Sequence, residues 1–77
     1  MAKPYSSQPP IGPEVWLDIV GERIAQLTEP LEITKGALSV RVDIPMWQEE
    51  LKLMAAEILP KVQMTLPRLG IKRIRWM

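Results

Sequence analysis

Lysine and arginine are the residues whose type and spacing could do chemistry in this sequence. Residues 1–60 hold five basic and nine acidic groups, whereas residues 61–77 hold five basic groups and no acidic group. Clustered cations neutralise phosphates and release counterions, which supplies most of the non-specific affinity for nucleic acids. The candidate nucleic-acid-binding residues are Lys35, Arg41, Lys61, Arg68, Lys72, Arg73 and Arg75. Charge alone fits equally well a solvated strand and helix end that acids elsewhere in the fold balance.

The residue inventory leaves little for catalysis. The chain contains no cysteine and no histidine, which removes thiolate and imidazole metal ligands and the usual nucleophile and general-base partners. Glu49 and Glu50 are adjacent on a predicted helix and point in different directions, so solvated acids are favoured over a catalytic pair. The four glycines match neither a phosphate-binding loop nor a dinucleotide fingerprint. We therefore expect no enzyme, no metal, no cofactor and no small-molecule substrate.

Two apolar residues and the three tryptophans are candidates for contact with a partner or with bases. Met46 and Leu53 lie off the apolar stripe of the second predicted helix, so they are candidates for a partner or dimer contact. Scattered surface residues are the commoner case. Trp16, Trp47 and Trp76 each fall on the apolar face of their own element, which favours core positions over platforms for stacking bases.

The elements that must position these residues begin with a helix over residues 13–28. Pro13 suits a first helical position, and the helix has to stop before Pro30. Gly21 within it costs about 1 kcal/mol relative to alanine, so we expect its missing side chain to permit a close backbone approach.

A β-hairpin is predicted next. Lys35-Gly36 separates two alternating runs in the manner of a two-residue loop. This register places apolar partners on one face, namely Ile33 opposite Leu38 and Leu31 opposite Val40. The buried face then continues through Val42 and Ile44, whereas Arg41 and Asp43 point outward.

A second helix and a last strand complete the pattern. The helix starts at Pro45 and ends near Gly70, with a kink or a break into two helices expected at Pro60. Its apolar stripe is Trp47, Leu51, Met54, Ala55, Ile58 and Val62. In the final run, Ile74 and Trp76 face the helices while Arg73 and Arg75 face away.

These elements predict an α+β fold of order α-β-β-α(kinked)-β, a three-stranded sheet with helices packed on one face. A chain of this length supports one core, so we expect a flexible tail over residues 1–12 and one domain over residues 13–77. No stretch is long and apolar enough to span a bilayer, and the start lacks the apolar core of a secretory signal. A cytoplasmic protein without a membrane contact is the expectation.

An ordered set of residues resembles one known family along nearly the whole chain. The set comprises a tryptophan followed by Ile-Val-Gly, a threonine before a proline, a Gly-x-Leu-x-Val strand, a tryptophan with a leucine four residues on, and an Ile-x-x-Ile-x-Trp ending. In this sequence these are Trp16, Ile19, Val20, Gly21, Thr28, Pro30, Gly36, Leu38, Val40, Trp47, Leu51, Ile71, Ile74 and Trp76. The pattern resembles the DciA-type bacterial replicative helicase loaders.

The resemblance implies a KH-like domain that binds DNA and belongs to proteins that help place the replicative helicase on DNA. Members of the family resemble KH folds without the Gly-x-x-Gly clamp, and the segment between Ile58 and Pro67 contains no glycine. Binding is therefore expected to rest on basic side chains that contact the backbone of single- or double-stranded DNA. The alternative is a protein-interaction or dimerisation module that docks the replicative helicase without direct DNA binding.

Overall fold

The computed structural model describes residues 10–77 as an α+β domain, which confirms the predicted fold class. In chain order the elements are α1 (Pro13–Val20), α2 (Glu22–Leu27), β1 (Thr28–Thr34), β2 (Ala37–Val42), α3 (Trp47–Thr65), the 3₁₀ helix η1 (Pro67–Leu69) and β3 (Arg73–Trp76). Residues 1–9 of the predicted tail lie outside the described residues. Ile11, also assigned to that tail, is buried in the core.

The first helical segment is divided at Gly21, where the sequence predicts one continuous helix. The Gly21 N–H donates to the Leu17 carbonyl at 2.8 Å, and the backbone then turns through φ 91° and ψ 163° before α2 begins. This region of backbone space is essentially restricted to glycine. A Cβ added at Gly21 would meet nothing within 4 Å, so the expected close backbone approach is wrong. The glycine is needed for its conformation.

The hairpin loop is confirmed. Lys35 and Gly36 have φ angles of 52° and 82°, the pair of positive values that a two-residue type I′ loop requires. Thr34 is opposite Ala37 and Ile33 is opposite Leu38, as the alternation predicts. The local sequence thus sets the register at the loop end of the hairpin.

Farther from the loop, a β-bulge at Leu31 shifts the register. Pro30, and not Leu31, is opposite Val40, and Leu31 is 40% exposed. The predicted pairing of Leu31 with Val40 is therefore wrong. Proline has no N–H to contribute to a ladder and is tolerated in strands at edges and bulges, which accounts for the irregularity at this point. The shift also places Glu29 opposite Arg41.

β2 is the central strand of the sheet, whose order is β1-β2-β3. It pairs antiparallel with β1 and parallel with β3, where Ala37 is opposite Arg73 and Ser39 is opposite Arg75. The alternation predicted for β3 is observed, with Ile74 and Trp76 packed against the core and both arginines exposed. β3 has four residues and pairs with β2 alone, so the packing of Ile74 and Trp76 against the core also holds it in place.

α3 continues through Pro60 as one helix, so no break into two helices occurs there. A proline inside a helix removes one backbone hydrogen bond, but Ile58 and Val62 on either side are buried and hold both halves against the core. The helix ends at Thr65 because Leu66 precedes Pro67, and a residue before proline avoids the helical region. η1 follows and closes at Gly70 in the left-handed conformation.

The core lies between the helices and one face of the sheet. Its larger cluster joins residues from the segment before α1, from α1, β2 and α3, and from the segment before β3. They are Ile11, Trp16, Ile19, Leu38, Val40, Ile58, Val62 and Ile71. A smaller cluster contains Ile24, Val42 and Leu51, with Trp47 and Trp76 packed against it. All three tryptophans therefore pack with the core, as the sequence predicts.

Ile44 departs from this arrangement. It is 42% exposed, whereas the sequence predicts that it extends the buried face. β2 ends at Val42, and the alternation of a strand does not continue into the bend that follows. Within residues 10–77, no helix is long and apolar enough to cross a membrane.

Candidate nucleic-acid interface

The hairpin loop and the start of β3 form one end of the sheet. The backbone N–H groups of Lys72 and Arg73 both donate to the Gly36 carbonyl, at 2.7 and 3.1 Å. The aliphatic part of the Lys72 side chain lies 3.4 Å from the position that a Gly36 Cβ would occupy. Three candidate cations, Lys35, Lys72 and Arg73, therefore lie close together around one glycine.

Arg73 and Arg75 lie on the outer face of the sheet, away from the helices. Their neighbours on β2 are Ala37 and Ser39, which are small and buried although they belong to that outer face. Among residues 10–77, neither arginine takes part in an ion pair. An arginine presents several N–H donors in a planar fork that matches phosphate geometry. We name Lys35, Lys72, Arg73 and Arg75 the β3 cation group.

Arg41 lies on the same outer face but has a different electrostatic environment. Its guanidinium contacts the Glu29 carboxylate at 2.8 Å and the Asp43 carboxylate at 3.2 Å. A phosphate would have to compete with two carboxylates for this side chain. The structure thus confirms that Arg41 points outward, but it separates Arg41 electrostatically from the β3 cation group.

Lys61 and Arg68 lie away from the sheet face. Lys61 is exposed on α3, which packs on the opposite side of the sheet, and Arg68 is exposed on η1. The last turn of α3 is tied to the segment before β3 by a hydrogen bond from Gln63 Nε2 to the Ile71 carbonyl at 3.0 Å. The seven predicted cations therefore divide into one group of four, the paired Arg41, and two residues on the helical side.

A line of exposed apolar side chains marks the outer face of α3. Met46 and Leu53, the predicted partner contacts, are 85% and 76% exposed, and Met64 is 82% exposed. Separations of 7 and 11 residues are close to whole numbers of helical turns, so the three side chains project in one direction. The sequence-based prediction did not include Met64. The signal that would have found it is its separation from Leu53 by 11 residues, close to three helical turns.

The described residues contain no cluster of three or more acidic, cysteine or histidine side chains that could hold a metal ion. Among residues 10–77 the aromatic side chains are the three tryptophans, which pack with the core, so none of them extends from the β3 cation group as a platform for bases. The chemistry that the lysines and arginines of this group can offer is a charged hydrogen bond to anionic oxygens. The fold and this surface define a small α+β domain with a cationic sheet edge.

Comparison with known proteins gives the family. The sequence model of the family described as "Dna[CI] antecedent, DciA" matches residues 14–76. A UPF0232 protein of Rhodococcus jostii (strain RHA1) is 38% identical over 47 residues, which is 61% of this chain. The match spans a quarter of the length of that curated relative. The chain belongs to the DciA family, which confirms the resemblance inferred from its ordered residues.

Proposed function

We propose that this chain is a DNA-binding accessory module of replicative helicase loading in the bacterial cytoplasm, with a KH-like domain that grips the DNA backbone. The observation that carries the proposal is the β3 cation group. Its arginines project from the outer face of the sheet without an acidic partner among the described residues. Membership of the DciA family supports the assignment to replication and makes the replicative helicase the expected partner.

Binding through this group is a contact with phosphates and not a reading of bases. The cations lie on an edge strand and at a hairpin loop, and no helix or aromatic ring of residues 10–77 is placed beside them to enter a groove or stack on bases. Affinity should therefore depend weakly on sequence and strongly on salt. Lys61 and Arg68 would add contacts only with DNA long enough to pass around the end of the domain.

The test is a fluorescence-anisotropy titration of labelled single- and double-stranded DNA at low and moderate salt. The Arg73→Ala, Arg75→Ala double variant should weaken binding at low salt by about tenfold, since each lost phosphate contact removes released counterions. The matched control replaces Arg23 and Lys52 by alanine, two exposed cations on α2 and α3. The control should change the affinity by less than about twofold.

Two outcomes would overturn the proposal. One is the absence of binding to either form of DNA at low salt. The other is equal weakening by the double variant and by the control, because the site would then be only the net charge of the chain.

A second function, docking of a protein partner, is favoured by the exposed line of Met46, Leu53 and Met64. Flexible methionine side chains adapt to apolar partners, and an apolar contact hardly responds to salt. Leu53→Asp should abolish capture of the purified replicative helicase and leave DNA affinity unchanged if this face docks the helicase. Met77→Asp, at another exposed apolar residue, is the matched control.

A further inference from the structure

The domain has a groove that neither DNA binding nor helicase docking, as proposed, would use. It lies between the start of α1, α2 and the start of β1, and has a volume of about 520 Å³. Its walls are mainly apolar: Ile11, Pro13, Trp16, Leu17, Ala25 and Pro30. Leu17 is one of the large apolar residues that are exposed, and it lies on the groove wall. An exposed apolar residue in a groove is typical of a contact site for a partner.

Among the described residues, the buried polar side-chain atoms at the floor of the groove are already hydrogen-bonded. The indole N–H of Trp16 donates to the Thr28 hydroxyl at 2.9 Å, and that hydroxyl donates to the Ile24 carbonyl at 2.7 Å. Both buried donors are therefore satisfied internally. A polar group that entered this floor would lose its water without gaining a partner, so the floor favours an apolar side chain.

The rim of the groove is acidic. Glu22 lines it with the neutral Gln26 and with Glu29, whose carboxylate also pairs with Arg41 at 2.8 Å. Among residues 10–77, no lysine or arginine belongs to the lining. The surrounding segment has the same sign, because residues 13–34 hold five acidic groups and only Arg23 as a base. An apolar floor inside an acidic rim is complementary to an apolar side chain flanked by cations.

The position of the groove at a sheet edge favours an extended segment. β1 is an edge strand of the sheet that the described residues form, and its residues Thr28, Glu29 and Pro30 line the groove, so the groove lies at that edge. Pro30 lines the groove and has no N–H, which limits extension of the sheet by an added strand at this point. The segment must therefore be held mainly through side chains.

We propose that this groove docks a short extended segment of another protein, in which an apolar anchor residue is flanked by lysine or arginine. The anchor fills the space between Leu17, Ala25 and Pro30, and a flanking cation pairs with Glu22. The β3 cation group plays no part, so this site is independent of DNA binding.

The test selects random dodecapeptides displayed on phage against the full chain and against its Leu17→Lys variant. Peptides enriched only on the unmodified chain should carry lysine or arginine beside a leucine, isoleucine, phenylalanine or tryptophan. The most enriched peptide is then labelled with fluorescein and titrated. Leu17→Lys should weaken its binding by about tenfold, because it places a charge in an apolar wall, and Glu22→Gln by about threefold, as expected for an exposed ion pair.

The matched control is Met77→Lys, which places the same charge at an exposed apolar residue after β3, on the opposite edge of the sheet from the groove, and should leave peptide affinity within about twofold. Thermal unfolding checks that each variant is folded. The proposal is overturned if no sequence is enriched over the Leu17→Lys variant, if the enriched peptides lack basic residues, or if Met77→Lys is as damaging as Leu17→Lys.

Discussion

The two outer strands of the sheet carry opposite charges although they border the same central strand. On β1, Glu29 and Glu32 are exposed, and Glu29 neutralises Arg41 across the pairing. On β3, Arg73 and Arg75 form no ion pair with the acidic residues among those described. The net charge of +1 conceals this contrast. A cation that lies opposite an acidic residue in the sheet is already paired, whereas a cation without such a partner is available to a ligand.

The difference between the edges has a geometric origin in β1. An unbroken register from the loop would put Glu29 opposite Val42, with its carboxylate away from Arg41. The bulge at Leu31 moves Glu29 opposite Arg41 and onto the same face, where the two form their 2.8 Å contact. β3 has no acidic residue that a similar shift could bring forward. The bulge therefore makes one edge neutral or acidic and leaves the other cationic.

Leu38→Ala should have the largest effect, a loss of folding stability. Because β2 pairs with both outer strands, unfolding would remove the contrast between them. Leu38 is fully buried in the main core cluster, and truncation of a buried leucine costs about 2–5 kcal/mol. A domain this small has little stability to lose. Urea unfolding followed by circular dichroism measures the change. Leu53→Ala, at an exposed leucine, should stay within about 0.5 kcal/mol, and equal losses in both variants would contradict the assigned core.

Thr28→Val should destabilise the domain less than Leu38→Ala does, and through a contact on the β1 side of the sheet. The substitution keeps the shape of the side chain but leaves the buried Trp16 indole N–H without its acceptor. An unsatisfied buried donor costs about 1–3 kcal/mol. The same unfolding measurement applies, and DNA affinity of the folded protein should be unchanged. Thr34→Val, at an exposed threonine of the same strand, is the matched control; a similar loss there would show that the hydrogen bond is not the cause.

Salt dependence should separate the arginines of the two edges. Arg73→Ala and Arg75→Ala should each reduce the slope of log K against log salt by about 0.7 to 0.9, the value expected for one phosphate contact. Arg41→Ala should change the slope by much less, because its charge is already paired with two carboxylates. Anisotropy titrations over a series of salt concentrations provide the slopes. Equal changes in all three variants would mean that the pairing of Arg41 does not withhold it from DNA.

Local sequence signals predicted the parts of the fold that depend on neighbouring residues. Lys35-Gly36 supplies the two positive φ angles of the hairpin loop, and the alternation in β3 places its arginines outward. The stripe on α3 depends only on helical spacing and was also correct, since Leu51, Ile58 and Val62 are buried. The sequence therefore predicts the basic C-terminal segment and the outward direction of its strand arginines, but not which strand they lie beside.

The parts that the sequence did not predict depend on competition between local preference and distant packing. Pro60 leaves a kink and a break both open in the sequence, and the buried residues on either side decide for one continuous α3. Gly21 suggested a close approach, whereas its backbone angles divide the helix. The pairing of Arg41 with Glu29 was missed for a related reason, since it follows only from a bulge in the other strand. Spacing within β2 carries no information about that bulge.

The smallest expected effect is also the most direct test of that bulge-dependent pairing. Combining Glu29→Gln with Asp43→Asn releases Arg41 and should strengthen DNA binding by about threefold, the scale of an exposed ion pair. In this background Arg41→Ala should weaken binding, although in the natural sequence it changes affinity by less than about twofold. The double-mutant cycle should give a coupling of about 0.5 kcal/mol or more between Arg41 and the carboxylates.

The control for that cycle combines Glu14→Gln with Asp18→Asn, which removes two negative charges from α1 without touching Arg41. If binding strengthens equally in the control, the gain reflects net charge alone. If Arg41→Ala costs the same in every background, the two carboxylates do not restrain Arg41. The electrostatic contrast between the strands would then have no consequence for DNA binding, and Arg41 would belong with the β3 cation group after all.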